Sequence, residues 1–113
     1  MSGISTHILD LTRGKPAAGV MVRLSRRVDD MWIEVAALTT DEDGRLKNLP
    51  GDRVALTSGR YRLHFETGEY FRGQGMNAFH PYVEIVCEIT DPSQNYHVPL
   101  LLTPFSHSTY RGT

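Results

Sequence analysis

The sequence predicts an all-β sandwich with one short helix, and three observations carry that prediction. Apolar residues alternate with polar ones at a period of two in several short runs. Those runs are rich in β-branched and aromatic side chains. Clusters of turn-forming residues, "RGKPAAG", "DEDG", "LPGDR" and "TDPSQN", separate them. A period of two sends successive side chains to opposite faces of a pleated strand, and Gly, Pro, Asp and Asn supply the backbone geometries that turns require. At 113 residues the chain is long enough for one core and too short for two, so residues 1–113 read as a single domain.

In chain order, "STHILDL" sets His7, Leu9 and Leu11 on one face and Thr6, Ile8 and Asp10 on the other, so neither face is wholly polar. "GVMVRLSRR" alternates Val20, Val22 and Leu24 with Met21, Arg23 and Ser25, a strand with one wet face. "MWIEVAALTT" is a strand with apolar residues on both sides. "RYRLHFET" alternates Tyr61, Leu63 and Phe65 with Arg62, His64 and Glu66. "TGEYFRGQG" is the one helical candidate, held by its glycines to one or two turns. "YVEIVCEIT" places Val83, Ile85, Cys87 and Ile89 on one side. "YHVPLLL" sets His97, Pro99 and Leu101 opposite Tyr96, Val98, Leu100 and Leu102, and the donor missing at Pro99 predicts an edge or bulged position. A sheet apolar on both faces needs two covers, so the first and last of these strands predict association with another subunit.

Twelve Lys and Arg against 13 Asp and Glu, spread along the chain, leave a formal charge of −1 and no electrostatic footprint for nucleic acid or a membrane surface. The single cysteine, Cys87, can close no internal disulfide and has no CxxC neighbour. No apolar run approaches the ~18 residues of a membrane span, the N-terminus lacks the pattern of a signal peptide, and "RGT" is not a peroxisomal Ser-Lys-Leu address. A soluble, unprocessed, cytoplasmic chain is therefore expected.

Few residues can carry chemistry. His7 and His97 each sit on a strand whose other members are apolar. If those strands pair, the imidazoles approach within a few ångströms, because directly opposed Cβ atoms lie roughly 4.5–5.5 Å apart. One could then act as general base toward water, with the other orienting it or donating a proton. Arg45 in "DEDGRL" and Arg111 near the end offer forked donors for a planar anionic ligand, and the "DEDG" turn would launch Arg45 from a rigid frame. Each has a plainer reading as well: a histidine satisfied within a half-apolar strand, an arginine solvated after a turn. His64 falls on a wet face and His80 precedes a proline, which suits structural or exposed roles. Neither a helical HExxH nor a Cys/His array is present, and GxSxG, GxGxxG and P-loop motifs are absent too, so no dedicated metal site is expected. The closing "STYRGT" puts a tyrosine and an arginine where chains commonly fray, which predicts a tail that is tied down.

Taken together, "STHILDLTRGKPAAGV", "TTDEDGRL", "FHPYVEI" and "YHVPLLLTPFSHSTYRGT" resemble, in order and over essentially the whole chain, the 5-hydroxyisourate hydrolase family, the transthyretin-related enzymes of urate breakdown. The family signature closes on Tyr-Arg-Gly-Ser. Tyr110, Arg111 and Gly112 match it, and Thr113 replaces the serine, keeping a hydroxyl and adding a methyl. "TPFSH" departs from the family's segment, nearer "SPYGY", so no role carries over to His107. The resemblance implies a transthyretin-like β-sandwich of two four-stranded sheets with one short helix, assembled as a homotetramer with active sites in clefts between subunits. It implies hydrolytic opening of 5-hydroxyisourate to 2-oxo-4-hydroxy-4-carboxy-5-ureidoimidazoline without metal or organic cofactor. On this sequence it implies catalytic roles for His7, Arg45 and His97, and substrate binding by Tyr110, Arg111, Gly112 and Thr113. The same fold is compatible with a non-catalytic carrier of a small aromatic ligand. Two histidines, an arginine and the Tyr-Arg-Gly end favour the hydrolase.

Overall fold

The structure, a computed structural model, describes residues 3–52 and 54–113; Met1, Ser2 and Arg53 of the "LPGDR" separator lie outside the described residues. Two sheets pack face to face. Strands β1 (Gly3–Asp10), β2 (Lys15–Pro16), β3 (Met21–Val28), β4 (Met31–Thr39), β5 (Arg45–Leu46) and β6 (Gly59–Phe65) precede helix α1 (Thr67–Gly73), which is followed by β7 (Val83–Ile89), β8 (Asn95–Thr103) and β9 (Ser106–Thr109). One sheet runs β4-β3-β6-β7. The other runs β2-β1-β8-β9, with β5 also paired to β1. The expected pair of four-stranded sheets is thus found with one addition, because two short strands, β2 and, just after the "DEDG" turn, β5, share the outer edge of β1.

Alternation places the core where the sequence put it. Ile4, Ile8, Tyr96, Val98, Leu100 and Leu102 face inward from one sheet, and Val22, Leu24, Tyr61, Leu63, Phe65, Val83 and Ile89 from the other. Each such side chain contributes about 1.5–3 kcal/mol on full burial. The outer face of β6 and β7 is polar, with Arg62 and His64 both against Glu84. Two expectations, for Ser25 and Pro99, are corrected. Ser25 is buried rather than wet, at a register shift between Leu24 and Ser25 where two consecutive residues turn inward. β4, apolar on both sides, is an edge strand with Met31 and Ile33 exposed. Pro99 lies on an interior strand, paired in parallel to β1 along its whole length. Its missing donor is tolerated because the ladder on the β9 side starts only at Leu100, opposite Thr109, and Thr109 Oγ1 donates to the Pro99 carbonyl at 2.8 Å.

Helix α1 is anchored through one buried carboxyl. Asp10 is fully buried. Its Oδ1 accepts from the N–H groups of Thr12 and Arg13 at 3.0 and 3.2 Å, and its Oδ2 accepts from the Tyr70 hydroxyl at 2.8 Å. Burial, and then the bond to Asp10, push the Tyr70 hydroxyl up to about 12. Replacing Tyr70 with phenylalanine is expected to cost roughly 1–3 kcal/mol, since Asp10 keeps its burial and loses a donor. A lower urea midpoint at unchanged slope would show it. Among the described residues no helix is long and apolar enough to cross a membrane.

Candidate active site

The site is built on the outer face of the β1–β8 ladder. Parallel pairing sets Ser5 opposite His97 and His7 opposite Pro99. The two histidines therefore share a face without being directly opposed. They are offset by two residues, about 6.6 Å along the strand. The Ser5 hydroxyl, absent from the sequence-based candidates, meets His97 instead, with Oγ 2.8 Å from Nδ1. On the other edge of β1, antiparallel pairing sets Arg45 beside His7.

Arg45 is placed by a tight loop. Asp41 Oδ1 accepts the N–H groups of Asp43 and Arg45, both at 2.9 Å, and the bond from Arg45 is the main reason the Asp41 carboxyl lies below its usual range. Gly44 then brings the loop onto β1: its carbonyl accepts from Ile8 N–H at 2.8 Å. Only glycine fits, because φ is +72° and a Cβ would stand 2.5 Å from the Ile8 carbonyl oxygen.

The tail is tied down, as its residues suggested. Gly112 N–H donates to the His97 carbonyl at 2.8 Å, and the His97–Gly112 bridge continues the β8–β9 register past the interruption at Pro99. Gly112 also lies against the imidazole: a Cβ there would sit 2.7 Å from His97 Cδ2. His97 thus bonds Ser5 at Nδ1 and packs against Gly112 on its Cδ2 side.

Beside them is a cavity of about 320 Å³ lined by Ser5, Arg45, Lys47, Asn95, His97 and Thr113, among others. It is at the small end of ligand pockets, which span roughly 300–1,000 Å³. His97, Arg45 and Thr113 are brought together here, whereas His7, paired with Arg45 across the strands, is not among the residues lining the cavity. Ser5, Lys47 and Asn95 were missed. Ser5 and Asn95 become visible only once the β1–β8 register is known, and Lys47 follows from extending the β5 register past Leu46.

Within one chain Tyr110 and Arg111 do not reach this cavity. They line a second one of about 300 Å³ against β7, together with Cys87, whose thiol burial pushes up. The Arg111 guanidinium lies 4.3 Å over the Tyr96 ring and donates to Gln94 Oε1 at 3.0 Å. His64 sits between Glu66 and Glu84, and His80 lies against His107, both away from the site.

Burial holds the His97 imidazole below its usual value, and the nearby charges of Arg45 and His7 act in the same direction. Such a ring is neutral at pH 7 and free to accept a proton. The sign for stability follows. Between the lowered value and 6.5 the unfolded chain binds more protons than the folded one, so this group's contribution is present above pH 6.5 and lost as pH falls through the folded value.

Comparison with known proteins identifies the family. The family described as HIUase/Transthyretin matches residues 4–112. A 5-hydroxyisourate hydrolase of Caulobacter vibrioides is 44% identical over 117 aligned positions, covering 100% of both chains. A solved Klebsiella pneumoniae 5-hydroxyisourate hydrolase superimposes with a TM-score of 0.87 at 38% identity, covering 100% of both chains. Transthyretin from Sparus aurata superimposes at 0.91 with 32% identity, over 99% of this chain and 97% of the other. With that match running through both sheets to the tail bridge, the chain belongs to the HIUase/transthyretin family.

Proposed function

We propose that the protein hydrolyses 5-hydroxyisourate to 2-oxo-4-hydroxy-4-carboxy-5-ureidoimidazoline, with water activated by His97. The observation that carries this reading is an imidazole that bonds Ser5 at Nδ1, packs against Gly112 and lines a cavity together with Arg45 and Thr113. His97 takes a proton from water as the oxygen bonds to the ring carbonyl carbon. The carbon–nitrogen bond then breaks, and the departing nitrogen takes the proton from His97. Arg45 stabilises the negative charge that gathers on the carbonyl oxygen, the kind of contact that usually supplies the largest single share of such catalysis. His7, beside Arg45, orients water or substrate, and the Thr113 hydroxyl hydrogen-bonds one of them.

The reading includes a homotetramer with the sites between subunits. The outer face of the β1–β8 sheet carries Leu9 and Leu101 beside the site, Leu11 is 55% exposed, and β7 and β9 present free strand edges. Tyr110 and Arg111, which open on the second cavity of their own chain, meet substrate in this reading across such an interface. Light scattering should give four times the mass of one chain.

The family also contains transthyretins, so a ligand carrier is the competing reading, and fold does not separate the two. The test is to generate 5-hydroxyisourate with urate oxidase and follow its ultraviolet decay against the spontaneous rate. Micromolar protein is expected to accelerate the decay many-fold. A rate equal to the background would support the carrier. Because protonated His97 cannot act as base, the acid limb of kcat/KM is expected below the 6.5 of an ordinary imidazole, with a plateau at neutral pH.

A further inference from the structure

We propose that Ser5 is a positioning residue for this reaction: its hydroxyl accepts the Nδ1 proton of His97 and so keeps the Nε2 lone pair directed into the cavity. The inference rests on His97 being the base and adds what decides which of its nitrogens does the work.

A neutral imidazole carries one proton on two nitrogens, and the hydrogen bond at one nitrogen fixes the role of the other. Ser5 Oγ lies 2.8 Å from Nδ1. A hydroxyl can donate or accept, so the surroundings of the ring choose. If Ser5 donated, the proton would sit on Nε2, and an N–H would point into a cavity whose charged side chains are the cations Arg45 and Lys47. If Ser5 accepts, Nε2 presents a lone pair to the same cations, the electrostatically favoured order. Arg45 reaches the site from β5, Lys47 from the residue following it, and His7 from β1. Gly112 packs on the Cδ2 side of the ring, where even one added methyl would stand 2.7 Å from Cδ2.

The logic is that of a nucleophile–base–orienter triad, with two differences. The orienter is neutral, so it selects the tautomer without raising the basicity of the ring as a carboxylate would. The orienter and base also come from adjacent parallel strands, in one rigid ladder, rather than from loops. Sequence reading favoured His7 as the natural partner of His97; the register gives that place to Ser5.

The test uses the full-length protein labelled with ¹⁵N. Long-range ¹H–¹⁵N correlation at pH 8, without substrate, is expected to show His97 protonated at Nδ1 and bare at Nε2. In Ser5→Ala the ring should shift toward the Nε2–H form, and kcat should fall on the order of 10–100-fold, the range for loss of an outer partner that orients an imidazole, with KM little changed. Ser5→Thr, which restores a hydroxyl, should recover both signatures. Wild-type protein protonated at Nε2, or Ser5→Ala with wild-type kcat and tautomer, would overturn the proposal. Because the tautomer is read without substrate, these outcomes are separate from the decay assay, where failure of the wild type alone would count against the hydrolase reading.

Discussion

Replacing His97 with asparagine is expected to lower kcat for 5-hydroxyisourate opening by roughly 10²–10⁴, the loss that follows removal of one general base. The side chain faces the cavity, and its neighbours along β8, Tyr96 and Val98, do the inward packing. The backbone bond to Gly112 uses the His97 carbonyl, which asparagine retains. Fold and assembly should therefore persist, and the loss should fall on kcat rather than KM, since what is removed acts only as the water is deprotonated. Stopped-flow decay curves corrected for spontaneous hydrolysis give the comparison. A variant turning over at wild-type speed would remove His97 from the mechanism and with it the role given to Ser5.

The second large effect is expected from a single methyl group. In Gly112→Ala the new Cβ would stand 2.7 Å from His97 Cδ2 and 3.4 Å from Pro99 Cγ. Ordinary carbon–carbon contact needs about 3.5–4.0 Å, so the imidazole must move by close to 1 Å. Displacement on that scale can cost about 10²-fold in rate. The glycine φ here raises no strain of its own, so the effect should be one of position and not of folding. Thermal midpoint near wild type with a kcat about 10²-fold down is the expected pair of results. Equal loss of midpoint and activity would mean instead that the tail had detached. Both signs are readable from one preparation by calorimetry and the decay assay.

The fold was legible where burial enforces alternation. Val22 with Leu24, and Tyr61, Leu63 and Phe65, could be assigned to the core because a one-residue slip would have sent each set into water. Helix α1 was legible because its glycines left room for no more than about two turns. What could not be read was pairing between distant strands. Ser5 and His97 are 92 residues apart, and whether β1 and β8 run parallel or antiparallel leaves no mark on either strand alone. That one unknown explains both the misplaced expectation of opposed histidines and the omission of Ser5. Pro99 misled for a related reason: a missing donor is costly only if the ladder calls for it, and the ladder on that side lapses until Leu100. The candidate residues themselves came chiefly from family resemblance, since a histidine on a half-apolar strand and an arginine after a turn are ordinary features. Arg111 shows the limit of that route. Its position matches the motif, but in one chain its guanidinium rests on Tyr96 and faces away from His97's cavity.

The most direct measurement is the position of a non-hydrolysable analogue of the substrate ring in crystals of the protein. The expected result is a ring seated in the cavity of about 320 Å³, its carbonyl oxygen toward Arg45 and its carbonyl carbon reached through one water from Nε2 of His97. A ring bound instead in the cavity between β7 and the tail, or lying against His97 with Nε2 turned away, would contradict activation of water by that imidazole.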